Sequence, residues 1–77
     1  MDYITDFMDK MDKIFSAYAK DDCMDDYRRE GNTFYVGKKD EAYVWSALDG
    51  AVHLYNLEHP DANLSLDSGC NYVTIER

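Results

Sequence analysis

The sequence has little proline, cysteine and histidine, and its basic residues are half as numerous as its acidic ones. Proline occurs once, histidine twice, and cysteine only at positions 23 and 70. Two cysteines can form one disulfide at most. The four glycines stand singly along the chain, so there is no glycine-rich loop of the kind that cradles phosphates.

Long apolar runs are also missing. No stretch approaches the ~18 consecutive apolar residues of a transmembrane helix. The first residues, Met1 and Asp2, lead into a segment dotted with Asp and Lys, which lacks the apolar core of a signal peptide. We therefore expect a cytoplasmic protein with reduced thiols and no contact with a membrane.

The length of 77 residues predicts one domain, spanning 1–77. A chain of this size buries only about 60% of its unfolded surface, so its stability is marginal unless oligomerisation or a larger partner adds to it. Hydrophobic residues make up 45% of the chain and aromatic residues 14%, which is enough apolar material to fold and not typical of a disordered chain.

Charge is the most unusual feature of the composition. Sixteen acidic residues, twelve of them Asp, stand against eight basic ones, for a formal net charge of −8. Such a charge repels nucleic acid and anionic membranes and attracts basic protein surfaces. The alternative explanation of the charge is that it keeps the protein soluble, because small domains commonly carry a net charge of this general size.

Two stretches have helical periodicity. The clearer one predicts a helix over residues 3–19, with Asp2 or Thr5 as N-cap; its apolar stripe is Tyr3, Ile4, Phe7, Met8, Met11, Ile14, Phe15 and Tyr18. The other, residues 41–57, has polar residues spaced by three or four, which favours a largely buried helix with one wet stripe. Asp49-Gly50 between apolar runs is a hairpin signal, so two paired strands are the alternative there.

The remaining segments predict shorter elements. Residues 22–30, followed by Gly31, favour a short helix whose charges complement the helix dipole, with a bent continuation of the first helix as the alternative. Residues 33–36 predict a strand, and residues 64–66 and 71–76 predict a terminal hairpin with Val73 and Ile75 inward. The predicted fold class is α+β, in the order α-α-β-α-β-β, with a three-stranded antiparallel sheet and helices on one face.

No constellation of residues predicts catalysis or metal binding. The four potential zinc ligands lack close-spaced pairs: they are Cys23, His53, His59 and Cys70. Ser46 and His53 of a triad-like set would lie about 10.5 Å apart along a helix, too far for a hydrogen bond. The calcium-loop-like segment 61–72 has Leu66 where glycine is needed and Tyr72 where glutamate is needed. We expect no catalytic residue, metal or cofactor, and no enzymatic activity.

The acidic residues form two groups that point to a binding role. One, the acidic segment, comprises Asp21, Asp22, Asp25 and Asp26; the other, the acidic row of the first helix, comprises Asp2, Asp6, Asp9 and Asp12. Carboxylates at helical spacing lie roughly 5–6 Å apart, comparable to neighbouring phosphates of a nucleic-acid strand. Tyr27 beside the acidic segment is a suitable anchor for arginine on a partner. Helix capping and a solvated helix flank are the structural alternative.

In size, acidity and small α+β make-up, the whole chain resembles the inhibitors of bacterial defence encoded by phages and mobile elements, including anti-CRISPR proteins and DNA mimics. The resemblance rests on composition and on no motif. It implies a stoichiometric viral inhibitor that acts in the host cytoplasm and occupies the nucleic-acid-binding surface of a defence effector. Those proteins are diverse, so no functional residue transfers from them.

The alternative function is a homodimeric structural or regulatory subunit. Its N-terminal helix would pair with a second copy through Phe7, Met11, Phe15 and Tyr18. A dimer of this kind should resist salt, whereas an acidic contact should weaken with it. Immunity proteins and antitoxins, which are acidic binders of toxins, fit the same composition.

Overall fold

The computed structural model describes residues 2–20, 24 and 26–77. The elements in chain order are α1 (Tyr3–Lys20), β1 (Arg28–Glu30), β2 (Thr33–Tyr35), a 3₁₀ turn (Lys38–Asp40), α2 (Glu41–Glu58), β3 (Ser65–Ser68) and β4 (Tyr72–Glu76). Two helices and a four-stranded antiparallel sheet make a small α+β domain. In the described part of the chain, neither helix is long and apolar enough to cross a membrane.

The predicted first helix is confirmed, and Asp2 is its cap. The backbone N–H of Thr5 donates to Asp2 Oδ1 at 3.2 Å, and the Thr5 hydroxyl donates to Oδ2 at 2.7 Å. A side-chain oxygen of the N-cap residue satisfies a backbone donor that has no partner within the helix. The apolar stripe then buries one face, with Phe7, Met8, Met11 and Phe15 in the core.

The predicted long helix is also confirmed, so the alternative hairpin at Asp49-Gly50 is wrong. The prediction that this helix is largely buried is wrong as well. Its buried residues are Val44, Leu48, Val52 and Tyr55. Three large apolar side chains on its other side are 53–66% exposed, namely Tyr43, Leu54 and Leu57. The helix lies on the sheet with one face and turns another apolar face outward.

Helix α2 begins and ends by different means. Asp40 occupies the N-cap position, but its side chain makes no capping hydrogen bond. The chain enters the helix through the 3₁₀ turn Lys38–Asp40 instead. At the other end, the His59 N–H donates to the Tyr55 carbonyl at 2.8 Å. Pro60 then prevents further helix, because the residue before proline is disfavoured in the α region.

The predicted short helix over 22–30 is wrong in its described part. Residues 28–30 are a strand paired with β2 through Arg28↔Tyr35 and Glu30↔Thr33. The two-residue turn between them, Gly31-Asn32, has glycine first at φ 58°. Glycine adopts a positive φ at no steric cost and is favoured at the first position of a two-residue hairpin loop. Residues 21–23 and 25 lie outside the described part.

The sheet therefore has four strands, not the predicted three, in the order β1-β2-β4-β3. The terminal hairpin enters the sheet with β4 beside β2, in the register Thr33↔Thr74 and Phe34↔Val73. The Ile75 N–H continues this pairing to the Asn32 carbonyl at 2.9 Å. As a result, α2 connects two strands, β2 and β3, that have β4 between them.

The predicted terminal hairpin is confirmed, with its turn later in the sequence. Val73 and Ile75 face the core while their neighbours face solvent. The Gly69 N–H donates to the Tyr72 carbonyl at 2.9 Å. A Cβ on Gly69 would lie 2.2 Å from a ring carbon of Tyr72, so any other residue at this turn would require the Tyr72 ring to move.

Both helices contribute to one core on one face of the sheet, where Phe15 of α1 meets Phe34 of β2 edge to face at 5.5 Å. This packing corrects the proposed dimer surface of the first helix. Phe7, Met11 and Phe15 are at most 8% exposed, and Tyr18 alone of the four predicted residues is open, at 40%. The core of a single chain uses the other three.

Candidate functional site

In the acidic row, Asp2 and Asp9 are exposed and Asp6 and Asp12 are half-buried, and each of the four carboxylates has a partner within the chain. Asp2 caps α1, and the hydrogen bonds from Thr5, first from its side chain and then from its backbone, lower the pKa of Asp2. Groups whose pKa is lowered stay ionised over a wider pH range. Asp2 is thus a persistent negative charge at the beginning of the row.

Asp6 joins the two helices. The Tyr55 hydroxyl donates to Asp6 Oδ2 at 2.6 Å, and the Lys10 ammonium lies 3.3 Å from the same oxygen. The hydrogen bond from Tyr55 is the main cause of the lowered pKa of Asp6. Burial, followed by the bond to Asp6, raises the pKa of Tyr55 to about 12.

Asp9 joins α1 to β1. Its Oδ1 accepts a hydrogen bond from Arg29 Nη1 at 2.7 Å, and Arg29 Nε donates to the Gly31 carbonyl at 3.0 Å. The Asp9 side chain remains 60% exposed while Arg29 is only 23% exposed. The carboxylate therefore stays accessible at the edge of the domain.

Asp12 accepts hydrogen bonds from the hydroxyls of Tyr27 and Ser16. The Tyr27 ring lies 5.9 Å from Phe15 and 6.2 Å from Phe34 between ring centroids. Burial, and then the bond to Asp12, raises the pKa of Tyr27. Tyr27 was predicted to anchor a partner, yet its ring packs against the core and its hydroxyl is engaged within the chain.

Only part of the acidic segment falls in the described chain, because Asp21, Asp22 and Asp25 lie outside it. Asp26 is exposed with φ 57°, a conformation that Asp and Asn tolerate better than most residues. It lies at the rim of a cleft of about 610 Å³ at the end of the sheet, whose lining includes Arg28, Tyr35 and Lys38.

The outer face of the sheet carries a row of side chains that the sequence did not predict as a site. The Arg28 guanidinium lies 4.3 Å from the Tyr35 ring centroid, and that ring is 6.4 Å from Tyr72. Arg28 also lies 3.4 Å from Glu30. The Gly31-Asn32 turn was the signal that could have revealed this row, because it fixes the register that brings Arg28 opposite Tyr35.

The candidates for metal binding are not brought together in the described chain. No group of three His, Cys, Asp or Glu side chains there is placed to hold a metal ion. Cys70 is exposed, and Cys23 lies outside the described residues.

Comparison with known protein families, curated proteins and solved structures finds no match for this chain. The function of the chain must therefore be inferred from its own charges and contacts.

Proposed function

We propose that the protein is a non-enzymatic, acidic protein-binding inhibitor that occupies a basic, nucleic-acid-binding surface of its partner. The support comes from the amount and placement of its charge. The net charge is −8 in 77 residues, and no charged side chain is buried among the described residues. Most of the acids are thus at the surface, where they act on a partner's lysines and arginines.

The observation that carries the proposal is the attachment of β1 to the acidic row. The Tyr27–Asp12 hydrogen bond and the Arg29–Asp9 ion pair hold the beginning of β1 against α1. Because Asp26 directly precedes Tyr27, the end of the acidic segment lies beside the acidic row. One side of the domain then presents carboxylates from both groups.

A side of the domain with carboxylates from both groups is complementary to a partner surface that normally binds phosphates. Helical carboxylates at three- and four-residue spacing are separated by roughly 5–6 Å, and each can accept hydrogen bonds from lysine or arginine. Opposite potentials also accelerate encounter and make binding salt-dependent. In this proposal the inhibitor acts in a bacterial cytoplasm, and it does not bind nucleic acid itself.

The test uses two baits with the same net charge. One carries Asp21→Asn, Asp22→Asn, Asp25→Asn and Asp26→Asn; the control carries Asp49→Asn, Asp61→Asn, Asp67→Asn and Glu76→Gln, four exposed acids distributed elsewhere. Tagged baits capture proteins from a bacterial lysate at low salt, and a short DNA duplex or high salt then elutes them. We expect the unchanged and control baits to release the same nucleic-acid-binding protein, and the segment variant to bind it at least about tenfold more weakly.

Circular dichroism of both variants checks that they are folded. Equal loss of capture in the two variants would mean that net charge alone attracts the partner and that the site is misplaced. A captured protein that neither salt nor DNA displaces would contradict the proposal altogether.

A further inference from the structure

The helical layer leaves an apolar surface uncovered on the side away from the sheet. Large side chains there are 40–66% exposed: Ile14 and Tyr18 on α1, and Tyr43, Leu54 and Leu57 on α2. These five residues, with the groove between the helices, are called the interhelical face below. The groove has a volume of about 220 Å³, and its lining includes Met11, Ile14, Ala51 and Leu54.

We propose that the interhelical face binds the same face of a second copy of this chain, forming a two-fold symmetric homodimer. This surface differs from the one predicted from sequence, since Phe7, Met11 and Phe15 stay in the core of each copy. The proposal does not depend on the inhibitor function. Asp9, Asp12 and Asp26 lie on the side of β1 and remain uncovered, while Asp6, whose partners Lys10 and Tyr55 line the groove, lies at the edge of the dimer contact.

The geometry of the helices permits such a dimer. Tyr3 contacts Tyr55 near one end of the helix pair, at 6.4 Å between ring centroids, and Tyr18 contacts Tyr43 near the other, at 6.1 Å. The helices are therefore antiparallel. A two-fold axis that lies in the interface and runs parallel to the helices places α1 of one copy over α2 of the other. The two helix pairs then stack as two layers, and each helix is antiparallel to the one that it covers.

Charges at the groove make this face complementary to itself. Lys10, which also pairs with Asp6 of its own helix, and Glu58 both line the groove, on opposite helices. The two-fold axis described above brings Lys10 of each copy opposite Glu58 of the second copy. Both side chains lean toward the N-terminus of their own helix, so in antiparallel helices they converge. A partner with a different charge pattern would lack this double pairing.

The exposed area is also sufficient. The five side chains offer roughly 500 Å² of accessible surface, and a stable interface needs about 800 Å² from each copy, including a polar rim. The whole chain exposes 4843 Å², so a dimer would use about a sixth of it. A patch of this size is at the upper end for a monomer, and such patches commonly mark interaction sites.

Gly50 lies in the middle of this face, between Ala47 and Leu54. A Cβ on Gly50 would meet nothing within 4 Å among the residues that the structure describes, so packing against those residues does not explain the glycine. Glycine weakens a helix relative to alanine. A helix of a second copy can approach the backbone closely at Gly50, which accounts for the residue.

The experiment measures the molar mass of the full-length chain by sedimentation equilibrium, from about 5 to 500 µM, at low and high salt. We expect a dimer that resists salt, because the contact is mainly apolar. Leu54→Lys should weaken dimerisation at least about 100-fold. The matched control is His53→Lys, which adds the same charged group on the exposed neighbouring position of α2 and should leave the dimer intact.

The variant Gly50→Ala distinguishes an interhelical face that binds a second copy from one that is only exposed to solvent. If nothing docks on the face, alanine stabilises the helix and the molar mass does not change; if a second copy docks, the dimer dissociates at least about tenfold more readily. Should Leu54→Lys fail to fold, Leu57→Lys takes its place. A chain that is monomeric at 500 µM, or whose dimer survives both Leu54→Lys and Leu57→Lys, overturns the proposal.

Discussion

Tyr27 and Tyr55 each place a ring against the core and donate a hydrogen bond to a carboxylate of α1. The arrangement gives a structural role to two of the seven tyrosines and to two of the Asp residues on this helix. Asp6 and Asp12 fix the positions of α2 and the start of β1 relative to α1. The acidic row is therefore both a charged surface and a set of structural acceptors.

The Tyr55–Asp6 bond predicts a loss of stability in alkali. In the unfolded chain tyrosine ionises near pH 10, whereas in the folded chain the pKa of Tyr55 is about 12. The contribution of Tyr55 is complete below pH 10 and is lost as the pH rises from 10 to 12. We expect the stability of the native protein to fall more steeply across this interval than that of Tyr55→Phe, measured by urea unfolding.

The matched control for that comparison is Tyr35→Phe. In the described part of the chain, Tyr35 makes ring contacts with Arg28 and Tyr72 but no hydroxyl hydrogen bond. Its variant should follow the native pH dependence. If the stability of the native protein and that of Tyr55→Phe fall equally steeply between pH 10 and 12, the cause of the loss is lysine deprotonation and general charge repulsion, not the Tyr55 hydroxyl.

At the scale of elements, periodicity predicted both long helices. In α1 the apolar residues recur at helical spacing over five turns, and Asp2 supplies a recognisable cap. The sequence of α2 has the same helical spacing, but that spacing does not show how much of the helix surface other elements bury. Exposure of Leu54 and Leu57 depends on the width of the sheet and the position of α1, which a local pattern does not contain.

The missed strand has a local cause. The order of acids before Arg28 and Arg29 favoured a helix through the dipole argument, and Gly31 was interpreted as a helix stop. Gly31-Asn32 is also a hairpin signal, and pairing with Thr33–Tyr35 outweighs the weak helical preference. Once β1 is a strand, the Tyr27 ring packs against the core and Arg28 faces outward. The prediction of Tyr27 as a partner anchor was based on its position beside the acidic segment, which does not show how its ring is packed.

Two side chains hold the connection between α2 and β3: Arg77 donates to the carbonyls of Asp61 and Ala62, and Asn56 binds the last residue before β3. Asn56 Nδ2 donates to the Leu64 carbonyl at 2.9 Å, and the Leu64 N–H donates to Asn56 Oδ1 at 2.8 Å. Leu64 is 4% exposed, so loss of this pair leaves two backbone groups unsatisfied near the core. We expect Asn56→Ala to lower the free energy of unfolding by about 1–3 kcal/mol.

Chemical denaturation measures this effect, and Asn71→Ala is its control. Asn71 is exposed, and within the described chain its side chain makes no hydrogen bond, while its backbone carbonyl accepts from Val36. The same substitution there should change stability by less than about 0.5 kcal/mol. A comparable loss at both positions would indicate that removal of an asparagine side chain at any site, and not the pair of hydrogen bonds to Leu64, sets the cost.

At the scale of the whole molecule, the charge that suits partner binding also opposes folding. Eight excess negative charges lie on a domain of 35 × 22 × 20 Å. The Debye length is about 30 Å at 0.01 M salt and about 8 Å at 0.15 M. At low salt nearly all charges therefore repel one another, whereas at 0.15 M only neighbours do. Salt also screens the favourable ion pairs, but exposed pairs contribute no more than about 1 kcal/mol each.

Repulsion should prevail over these pairs, so added salt should stabilise the domain. We expect the melting temperature to rise by several degrees between about 0.01 and 0.3 M NaCl, since about 1 kcal/mol shifts the midpoint of a domain this size by roughly 4–8 °C. The quadruple variant Asp49→Asn, Asp61→Asn, Asp67→Asn and Glu76→Gln has half the net charge, so its melting temperature should rise less with salt.

Repeating the thermal scan with Leu54→Lys separates folding from dimerisation, because the melting temperature of this variant should not depend on protein concentration. A melting temperature that falls with salt in that variant would mean that the Asp9–Arg29 and Asp6–Lys10 pairs contribute more than the repulsion among the remaining acids.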